Sequence, residues 1–485
     1  MPELLESLIS HNLSTREHHR SRQPASTSSQ GQDLLLSLNA GSSSLKFKVF
    51  DRRELHKRRI GDALVLSGSI KVKDDKAMLK VSDGEEKELP TADIANQETL
   101  RHLLELVSQR GRITHIVHRV VHGASLPQCI ALSRRDTSAL STLSFLSSFA
   151  PLHNAVSVSM IHSLLSSPPS LLEDEVEHLC CFDTTFHHDM PETSWRYLLD
   201  PELAGSHLPG GMEMRKWGFH GISYASIVHT LSRRLGRPAA QINVIVCHLG
   251  SGSSMCAISQ GKSWATTMGL TPLEGLPGGT RSGSVDPVLA LHISRSALQA
   301  NQTNQDDCGD GGEGEQATDP FAMVDLGGGI RVSHAEMVLN KQSGFKALCG
   351  TSDFEQVVKR VQQGDQKAKV CFDVFVEKIV EYLGAYYFKL SSQSGIDALV
   401  FSGGIGEAST DLHRALAHKL ERTPLRSRSQ SEAVAHLEPH QDEVTVLSCD
   451  TLGCAESREQ GVAWLVCKTD EETQMAREVK AYMNW

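Results

Sequence analysis

The fold of this chain is decided by the stretch Leu38-Asn39-Ala40-Gly41-Ser42-Ser43-Ser44-Leu45-Lys46. An apolar segment precedes it and the alternating segment 46–50 follows it, so the pattern predicts a strand, a tight polar turn and a second strand. Glycine lets the backbone turn where a side chain would clash, and the serine hydroxyls and N–H groups offer donors to an anion such as phosphate. Lys46 adds a positive charge, and Asn39 a neutral oxygen ligand for hydrated Mg²⁺. The alternative interpretation is an ordinary Asn-Gly-Ser-rich turn.

Length and composition restrict the class of protein. The chain has 485 residues, too many for one ordinary core, so we expect two domains. Its hydrophobic share is 39%, and no apolar run approaches the roughly 20 residues of a membrane span. The formal net charge of −10 argues against a nucleic-acid partner, whose binding depends on clustered Lys and Arg. We therefore expect a soluble globular protein with neither a membrane nor a nucleic acid as its partner.

Cysteine usage and the first residues bear on localisation. The 11 cysteines are scattered and form no CxxC pair, a pattern typical of reduced thiols rather than of disulfides or a zinc site. Residues 1–32 are rich in Ser, Arg, His and Gln and lack a hydrophobic segment of the secretory type, so we expect a disordered tail. The acidic residues Glu3, Glu6 and Glu17 argue against a mitochondrial presequence. The prediction is a cytoplasmic protein.

Strand and helix patterns alternate along the rest of the chain, which predicts an α/β architecture. A three-strand meander with a Gly-rich turn opens each half, at Leu34 and at Ile242, so we expect two similar domains with a cleft between them. The predicted strands fall within 33–90 and at 113–121, 179–182, 242–248, 398–401 and 462–466, with two more around Gln260-Gly261. The predicted helices are 94–109, 152–166, 222–235, 366–392, 407–420 and 470–483.

Two further Gly-rich turns also follow apolar strands. One is His248-Leu249-Gly250-Ser251-Gly252-Ser253-Ser254, and the other is Ser402-Gly403-Gly404-Ile405-Gly406-Glu407 before a helix. Helix N-termini attract phosphate through their free N–H groups and the macrodipole. One such turn is weak evidence, because Gly-rich turns between strand and helix are also common for packing reasons. Three of them at strand ends predict a nucleotide-binding protein.

A set of motifs then makes the chain resemble the acetokinase family of the sugar kinase, chaperone and actin superfamily. The motifs occur in family order over about residues 33–485, apart from the polar insertions. They are NAGSSSLKF at 39–47, HRVVHG at 118–123, PLHN at 151–154, FDTTFH at 182–187, KWGFHG at 216–221, CHLGSGSS at 247–254, TPLEGLPGGTRSGSVDP at 271–287, GGIGE at 403–407 and KTDEE at 468–472.

The resemblance implies two similar actin-like (RNase H-like) domains with a central cleft. It places a first domain at 33–183 plus 470–485 and a nucleotide-binding second domain at 184–469, with polar insertions near 299–319 and 422–441. The implied reaction is acetate + ATP ⇌ acetyl phosphate + ADP, with Mg²⁺ or Mn²⁺ as the cofactor. By analogy with the family we also expect a homodimer.

The resemblance further implies which residues take part in the reaction. Arg119 is assigned chiefly to the acetate carboxylate and Arg281 to the phosphoryl group in transit, since guanidinium groups bind such oxygens in bidentate fashion. His220 matches the family histidine that stabilises the transferring phosphoryl group. Asp183 matches a carboxylate that helps to hold the metal and to orient the acid. The alternatives are a surface ion pair for either arginine and a helix cap for Asp183.

The family's metal and acyl sites also have counterparts here. Glu471 matches the acidic residue that holds Mg²⁺ together with Asn39, and Glu472 is the competing choice, because an alignment slip of one residue exchanges the two. His153 is equally compatible with a pocket role and with a structural one. A small apolar pocket is implied for the acyl group, and its residues are Val121, Leu152, Phe219 and Pro272. Since one methylene discriminates by only about 1–3 kcal/mol, propionate remains an alternative substrate.

The predicted nucleotide contacts carry three departures from the family pattern. The contacts are Lys46, His248, Leu249, Gly250, Ser251, Gly252, Asp353, Gly404, Ile405, Gly406, Glu407 and Ala408. Ser251 and Ala408 replace the usual asparagines, and Glu355 stands where the family usually has an arginine. The phosphoryl donor is therefore expected to be ATP, with pyrophosphate as the alternative. An alternative from another class is a nucleotide-regulated binding module of the chaperone or actin type, which shares the superfold.

Overall fold

A computed structural model gives the structure of the chain. It describes residues 32–485 except for 42–43, 58–59, 74–75, 85, 92, 148–149, 201–212, 295–322, 326–330, 429–442, 448–451 and 453–460, and it leaves the side chains of 57, 73 and 151–153 undescribed. The chain divides into two compact units. The first unit comprises Met1–His188, Arg196–Ser226 and Asp470–Trp485, and the second comprises Asp189–Trp195 and Ile227–Thr469.

The first unit is built on a mixed sheet, which in the described part of the chain has the strand order β5-β4-β3-β2-β1-β6-β8-β7. Strands β1 to β5 form antiparallel neighbours, whereas β6 pairs parallel to both β1 and β8. The strands are β1 Asp33–Ala40, β2 Ser44–Asp51, β3 Leu64–Lys73, β4 Lys76–Val81, β5 Glu86–Leu89, β6 Arg112–Val120, β7 Ile130–Leu132 and β8 Glu177–Phe182.

The second unit has a sheet of the same kind, whose described strands run in the order β11-β10-β9-β14-β16-β15. Its first three strands form an antiparallel meander, and β14 is parallel to β9 and to β16. The strands are β9 Val244–His248, β10 Ser254–Ser259, β11 Lys262–Thr266, β14 Ala398–Ser402, β15 Val444–Val446 and β16 Ala463–Cys467, and a separate hairpin pairs β12 Met323–Asp325 with β13 Arg331–Ser333.

Helices cover the sheets. They are α1 Arg52–Lys57, α2 Gln97–Ser108, α3 Ser138–Ser147, α4 Pro151–Leu165, α5 Glu192–Trp195, α6 Gly221–Leu235, α7 His334–Lys341, α8 Gly344–Cys349, α9 Phe354–Gln362, α10 Gln366–Ser391, α11 Gly403–Ala408, α12 Thr410–Leu420 and α13 Glu471–Met483. No helix among the described residues is long and apolar enough to cross a membrane.

The continuous apolar run of β1 is explained by burial of both faces of the sheet, since successive side chains point to opposite sides. Leu34 and Leu36 belong to the core that contains Leu104 of α2. Leu35, between them, belongs to the core that contains Met475 of α13. The last helix is therefore fixed against the central strands of the first unit by apolar contacts.

Most elements predicted from the sequence are confirmed, including both meanders and the long helix α10. The Gln260-Gly261 turn has φ angles of +52° and +74°, as a two-residue hairpin turn requires. The helix predicted for 407–420 is wrong in its continuity, because Ser409 accepts a hydrogen bond from the Leu412 N–H and starts α12 anew. Helix α1 also interrupts the segment 33–90, which was predicted to hold strands and turns only. The predicted tail 1–32 lies outside the described residues except for Gln32. The predicted insertion at 299–319 and most of the one at 422–441 also lie outside them.

Candidate active site

A buried ion pair lies where two parallel strands of the first unit end. Arg119 is the penultimate residue of β6, and Asp183 directly follows β8. The Arg119 Nη2 lies 2.7 Å from the Asp183 Oδ2, and its Nε donates to both oxygens at 3.2 Å. Burial raises the pKa of Asp183 while Arg119 opposes that shift, and the Asp183 side chain is fully buried. Burial lowers the pKa of Arg119, but Asp183 and Glu471 more than offset this and raise it, so the guanidinium stays charged.

Asn39, at the end of β1, connects this pair to the first turn of α13. Its Oδ1 accepts from the Arg119 Nη1 at 3.2 Å, and its Nδ2 donates to Glu471 at 2.6 Å and to Glu472 at 2.7 Å. The Arg119 Nη1 also lies 3.2 Å from the Glu471 Oε2. Burial raises the pKa of Glu472, and the neighbouring charge of Glu471 raises it further. Asn39 thus turns its amide nitrogen to the two glutamates and its oxygen to Arg119. The crowded carboxylate oxygens are hard donors of the kind that Mg²⁺ prefers.

The N-terminus of α13 is held by polar contacts of its own. Asp470 caps the helix by accepting from the Thr473 N–H at 3.0 Å, and its Oδ2 lies 2.5 Å from the Lys48 Nζ on β2. The Ser226 Oγ accepts from the Asp470 N–H at 3.2 Å. Ser223 of α6 donates to the Glu471 carboxylate. These contacts fix where the two glutamates of the first turn point.

His220 occupies a strained turn directly before α6. Its φ of +58° is in the left-handed region, which is uncommon for a residue with a side chain. The next residue, Gly221, packs so closely on Asp183 that an added Cβ would lie 1.9 Å from the Asp183 carbonyl oxygen. The Ile222 N–H donates to the Asp183 carboxylate and lowers its pKa. The first turn of α6 therefore brings the backbone of His220 and the Arg119–Asp183 pair together within the first unit.

The structure describes the local surroundings of some of the residues predicted to line an acyl pocket. Phe219 is buried, its carbonyl accepts from the His187 Nε2 at 2.9 Å, and its ring lies 5.5 Å from that of His122. Val121 follows β6 and is partly buried. Leu152 and His153 lie in the first turn of α4, but their side chains are outside the described part of the chain. Pro272 is buried in the second unit.

Two of the Gly-rich turns meet in the second unit. Leu249 donates its N–H to the Ser402 carbonyl at 2.7 Å, and its own carbonyl accepts from Ile405 at 2.9 Å and from Gly406 at 3.1 Å. Gly403 has a φ of +75°, and a Cβ added there would lie 2.6 Å from the Leu249 oxygen, so glycine is required. His248 ends β9 beside Ser402. The sequence motifs 248–252 and 403–407 thus form one contiguous backbone surface.

The segment 271–287 packs against this surface. The Gly279 N–H donates to the Ser251 carbonyl at 3.0 Å, and a Cβ added to Gly252 would lie 3.0 Å from the Arg281 Nη1. Burial lowers the pKa of Arg281 to about 10. The pKa of Lys341 is lowered by burial and by the charge of Arg281. A cationic side chain beside a Gly-rich turn, with a second cation near it, attracts an anion such as phosphate.

The remaining predicted nucleotide residues have ordinary local roles in the structure. Asp353 caps α9 by accepting from the Glu355 N–H at 2.9 Å, and Glu355 pairs with Lys359 at 2.6 Å on the exposed face of that helix. Glu407 accepts from the Gly403 N–H at 3.0 Å, and Ala408 ends α11. Lys46 is exposed on β2, where its charge lowers the pKa of Glu472.

Sequence reasoning missed several residues that contact the first-unit cluster or lie beside Arg281. Ser223, Lys48 and Asp470 hold the first turn of α13, and Lys341 lies at the end of α7. Asp470 carried a signal, since an acidic residue before the first helical turn is a common cap. The others carried none, because their partners come from distant segments of the chain.

Comparisons with known proteins give the family and the solved counterparts of this chain. The family model described as the acetokinase family matches residues 34–306 and 320–477. A probable acetate kinase of Neurospora crassa is 32% identical over 481 residues, which cover 93% of this chain and 94% of that protein. The structure of a propionate kinase from Francisella tularensis subsp. tularensis SCHU S4 is 26% identical, with a TM-score of 0.65 over 92% of this chain and 98% of that one.

The fold has a further solved counterpart. The crystal structure of Porphyromonas gingivalis acetate kinase covers 93% of this chain and 100% of its own, with a TM-score of 0.67 and 23% identity. The predicted fold class, an α/β protein with two similar actin-like units, is confirmed by these likenesses and by the matching strand order of the two sheets.

Proposed function

Because the chain belongs to the acetokinase family, we propose that it catalyses the reversible, Mg²⁺-dependent transfer of the terminal phosphoryl group of ATP to acetate. In the forward direction an acetate carboxylate oxygen forms a bond to the γ-phosphorus, the bond to the β,γ-bridging oxygen breaks, and ADP leaves. Such transfers depend on positioning and charge neutralisation more than on covalent catalysis.

The observation that carries the proposal is the Asn39–Arg119–Asp183–Glu471 cluster. Four distant segments of the chain bring together the residues that the family resemblance had assigned to acid and metal binding. Asp183 takes the Nε and one Nη2 hydrogen of Arg119, so we assign Asp183 to orienting the guanidinium. The second Nη2 hydrogen is the donor that we assign to the acetate carboxylate.

Asn39, Glu471 and Glu472 are the residues that would hold Mg²⁺ in this scheme. When bound, the ion neutralises charge on the phosphate oxygens. Glu471 contacts Arg119, whereas Glu472 is more deeply buried and accepts from the same Asn39 Nδ2 as Glu471. Both carboxylates are therefore included in the proposed set, and Mn²⁺ is expected to replace Mg²⁺ because it accepts the same oxygen ligands.

The second unit is proposed to bind the nucleotide phosphates through 248–252 and 403–406, with Arg281 on the transferring group. Support comes from the contiguous backbone surface of these turns and from the position of Arg281 beside Gly252. His220, held in its strained turn beside Asp183, is proposed to donate a hydrogen bond to the phosphoryl oxygens as negative charge develops there.

The test is a substrate panel in which hydroxylamine traps the acyl phosphate. Acetate with ATP should give the highest kcat/KM, and propionate a lower one, because the family resemblance implies a small acyl pocket. GTP and pyrophosphate should be poorer donors than ATP. Pyrophosphate outperforming ATP, or propionate outperforming acetate, would contradict the corresponding assignment, and absence of any acyl phosphate would contradict the function itself.

A matched pair of arginine variants tests the cluster. Arg119→Lys keeps the charge but loses the planar fork, so kcat should fall by about 100-fold or more. Arg101→Ala is the control, because Arg101 lies on the exposed face of α2 and its ion pairs among the described residues are with Glu98 and Glu105 of that helix. Its kcat should stay within about twofold of the parent. Equal activity of Arg119→Lys and the parent would contradict the role of Arg119.

We also propose a homodimer, located in the cytoplasm. Several apolar side chains of the second unit are exposed, and they cluster in sequence as Val285, Val288, Leu289 and Leu291. Exposed apolar side chains that lie close together favour association. Light scattering after gel filtration should give twice the chain mass of 53.0 kDa, and Leu289→Asp should weaken the dimer. A monomer at all concentrations would contradict this proposal.

A further inference from the structure

Two thiols of the first unit lie side by side near the end of β8. The Cys129 Sγ lies 3.0 Å from the Cys181 Sγ, and both side chains are buried. Strand β7 begins directly after Cys129 and runs antiparallel to β8, with Ile130 opposite Cys180. Cys129 is therefore the cross-strand neighbour of Cys181, and their side chains share one face of the sheet.

A carboxyl group completes the cluster. Glu478 of α13 lies so that its carboxylate oxygen and both sulfur atoms are all within 4.8 Å of one another. Burial raises the pKa of Glu478 to about 7, although Gln474 and Cys181 oppose the shift through hydrogen bonds. Its side chain is partly exposed, whereas Cys181 is fully buried. A carboxylate oxygen this close to both sulfur atoms can accept a proton from the thiol.

We propose that Cys129 and Cys181 form a redox-sensitive pair, which a two-electron oxidant such as hydrogen peroxide converts into a disulfide. Peroxide first oxidises the Cys129 thiol to a sulfenic acid and is reduced to water. The Cys181 sulfur then attacks the Cys129 sulfur, the Cys181 proton passes to Glu478, and the hydroxyl leaves as water after taking up a proton. The sum is two thiols and one peroxide giving one disulfide and two waters.

The Cys129–Cys181 pair is adjacent in the sheet to the Arg119–Asp183 ion pair of the candidate active site. In the parallel β6–β8 ladder Cys181 is paired with Arg119, and Asp183 follows it by two residues. A disulfide requires the sulfur atoms to approach to about 2.05 Å, and we expect the end of β8 to shift toward β7 as they close. The Arg119–Asp183 geometry should then change and acetyl phosphate formation should fall. This consequence rests on the proposed function, whereas the oxidation itself does not.

The reaction should be slow in both directions. Burial raises the pKa of Cys181 well above its ordinary value, so little thiolate is present at neutral pH. The same property makes Cys181 a poor leaving group once the disulfide exists. We expect oxidation over minutes to hours at millimolar peroxide, and reduction only by a strong dithiol.

The test is peptide mapping of the whole protein after peroxide treatment without reduction. The Cys129 peptide should be linked to the Cys180-Cys181 peptide, with a mass loss of two hydrogens. Cys180→Ala is the matched control, since it is equally buried but points to the other face of β8, and its linkage should persist. Cys129→Ala should abolish the linkage and make activity at least threefold less sensitive to peroxide.

Several outcomes would overturn the proposal. One is a linkage that survives in Cys129→Ala. Another is oxidation confined to the buried thiols Cys349 and Cys371 of the second unit. A third is a thiophilic metal ion that is bound stoichiometrically by the unaltered protein and lost in Cys129→Ala. If Cys129→Ala does not fold, intact mass and mapping of the unaltered chain still decide the chemistry. A linkage that forms without any loss of activity would overturn the coupling to the site and leave the function itself unaffected.

Discussion

At the scale of the residue, Asp183 is a buried carboxylate that requires a cationic partner. Its side chain is fully buried, and Arg119 is the cation that meets it. Removing one partner of a buried ion pair typically costs about 3–5 kcal/mol, because the other charge is left uncompensated. Complete truncation of Arg119 therefore mixes a loss of stability with a loss of activity, which is why the conservative change to lysine is the sharper variant.

Gly221 offers a test of how closely α6 must approach Asp183. In Gly221→Ala the new Cβ would lie 1.9 Å from the Asp183 carbonyl oxygen, so the helix must move away. We expect a loss of about 1–3 kcal/mol in stability. We also expect a fall in kcat of at least tenfold, because Ile222, Ser223 and His220 move with the helix. Thermal unfolding and the hydroxamate assay measure the two effects.

Gly384→Ala is the control for this change. Gly384 lies within α10, and a Cβ added there meets nothing within 4 Å. Alanine is favoured over glycine inside a helix by about 0.5–1 kcal/mol, so this variant should be slightly more stable and fully active. A Gly221→Ala protein with the stability and kcat of the parent would show that the close approach is not required.

At the scale of the element, helix α13 positions two carboxylates by means of its cap. Asp470 caps the Thr473 N–H and pairs with Lys48, and both contacts are near the glutamates of the first turn. Asp470→Ala should cost about 1–2 kcal/mol as a lost N-cap. It should also raise the Mg²⁺ concentration needed for half-maximal activity, since Glu471 and Glu472 are no longer held in place.

Lys48→Met separates the two effects of Asp470. It removes the ion pair but keeps the cap, so thermal stability should change less than in Asp470→Ala while the Mg²⁺ requirement still rises. Titration of activity with Mg²⁺ and a thermal unfolding curve distinguish the contributions. An unchanged Mg²⁺ requirement in both variants would contradict the positioning role of this helix end.

Strands β6 and β8 carry a buried histidine pair that should make the first unit sensitive to acid. The His118 Nε2 and the His178 Nδ1 are 3.0 Å apart in stacked rings. Burial lowers the pKa of His178 to about 3, with the charge of Arg134 adding to the shift. Burial, and then His178, lower the pKa of His118. Both rings are therefore neutral in the folded protein at pH values where the unfolded chain is protonated.

The lower pKa values of these histidines in the folded state make the protein less stable as the pH falls. Between the unfolded pKa of about 6.5 and the folded pKa near 3, the unfolded state binds more protons, so stability is present above about pH 6.5 and is lost as the pH falls. His178→Gln should reduce the slope of the unfolding free energy by up to about 1.4 kcal/mol per pH unit in this window. Urea unfolding at pH 4.5 to 7.5 measures it. Equal slopes in the variant and the parent would contradict the assignment.

For the whole molecule, the two units should respond to different ligands. A non-hydrolysable ATP analogue should slow hydrogen exchange at 249–252, 278–281 and 403–406 of the second unit, where backbone N–H groups are proposed to meet phosphates. Acetate with Mg²⁺ should slow exchange at 39–41, 183–184 and 220–223 of the first unit. The reverse assignment of protection would contradict the proposed division of binding between the units.

The candidate site was largely predictable where a motif carries the chemistry. Asn39, Arg119, Asp183 and Glu471 were each assigned from local motifs, and the structure brings all four into one network. The roles within that network were not predictable. Arg119 was assigned chiefly to acetate, yet most of its described contacts are with Asp183, Glu471 and Asn39. A buried cation requires anionic or polar partners, and the tertiary fold supplies them.

The amino-acid order by itself determined the α/β class, the paired meanders and the Gly-rich turns, since periodicity, β-branching and glycine act over a few neighbouring residues. Only the tertiary structure decided which distant side chains meet: Lys48 with Asp470, Ser223 with Glu471, and Cys129 with Cys181. Those contacts depend on strand order and on the packing of α13 against the first sheet. Both arise from burial of the entire core, so no local sequence pattern predicts them.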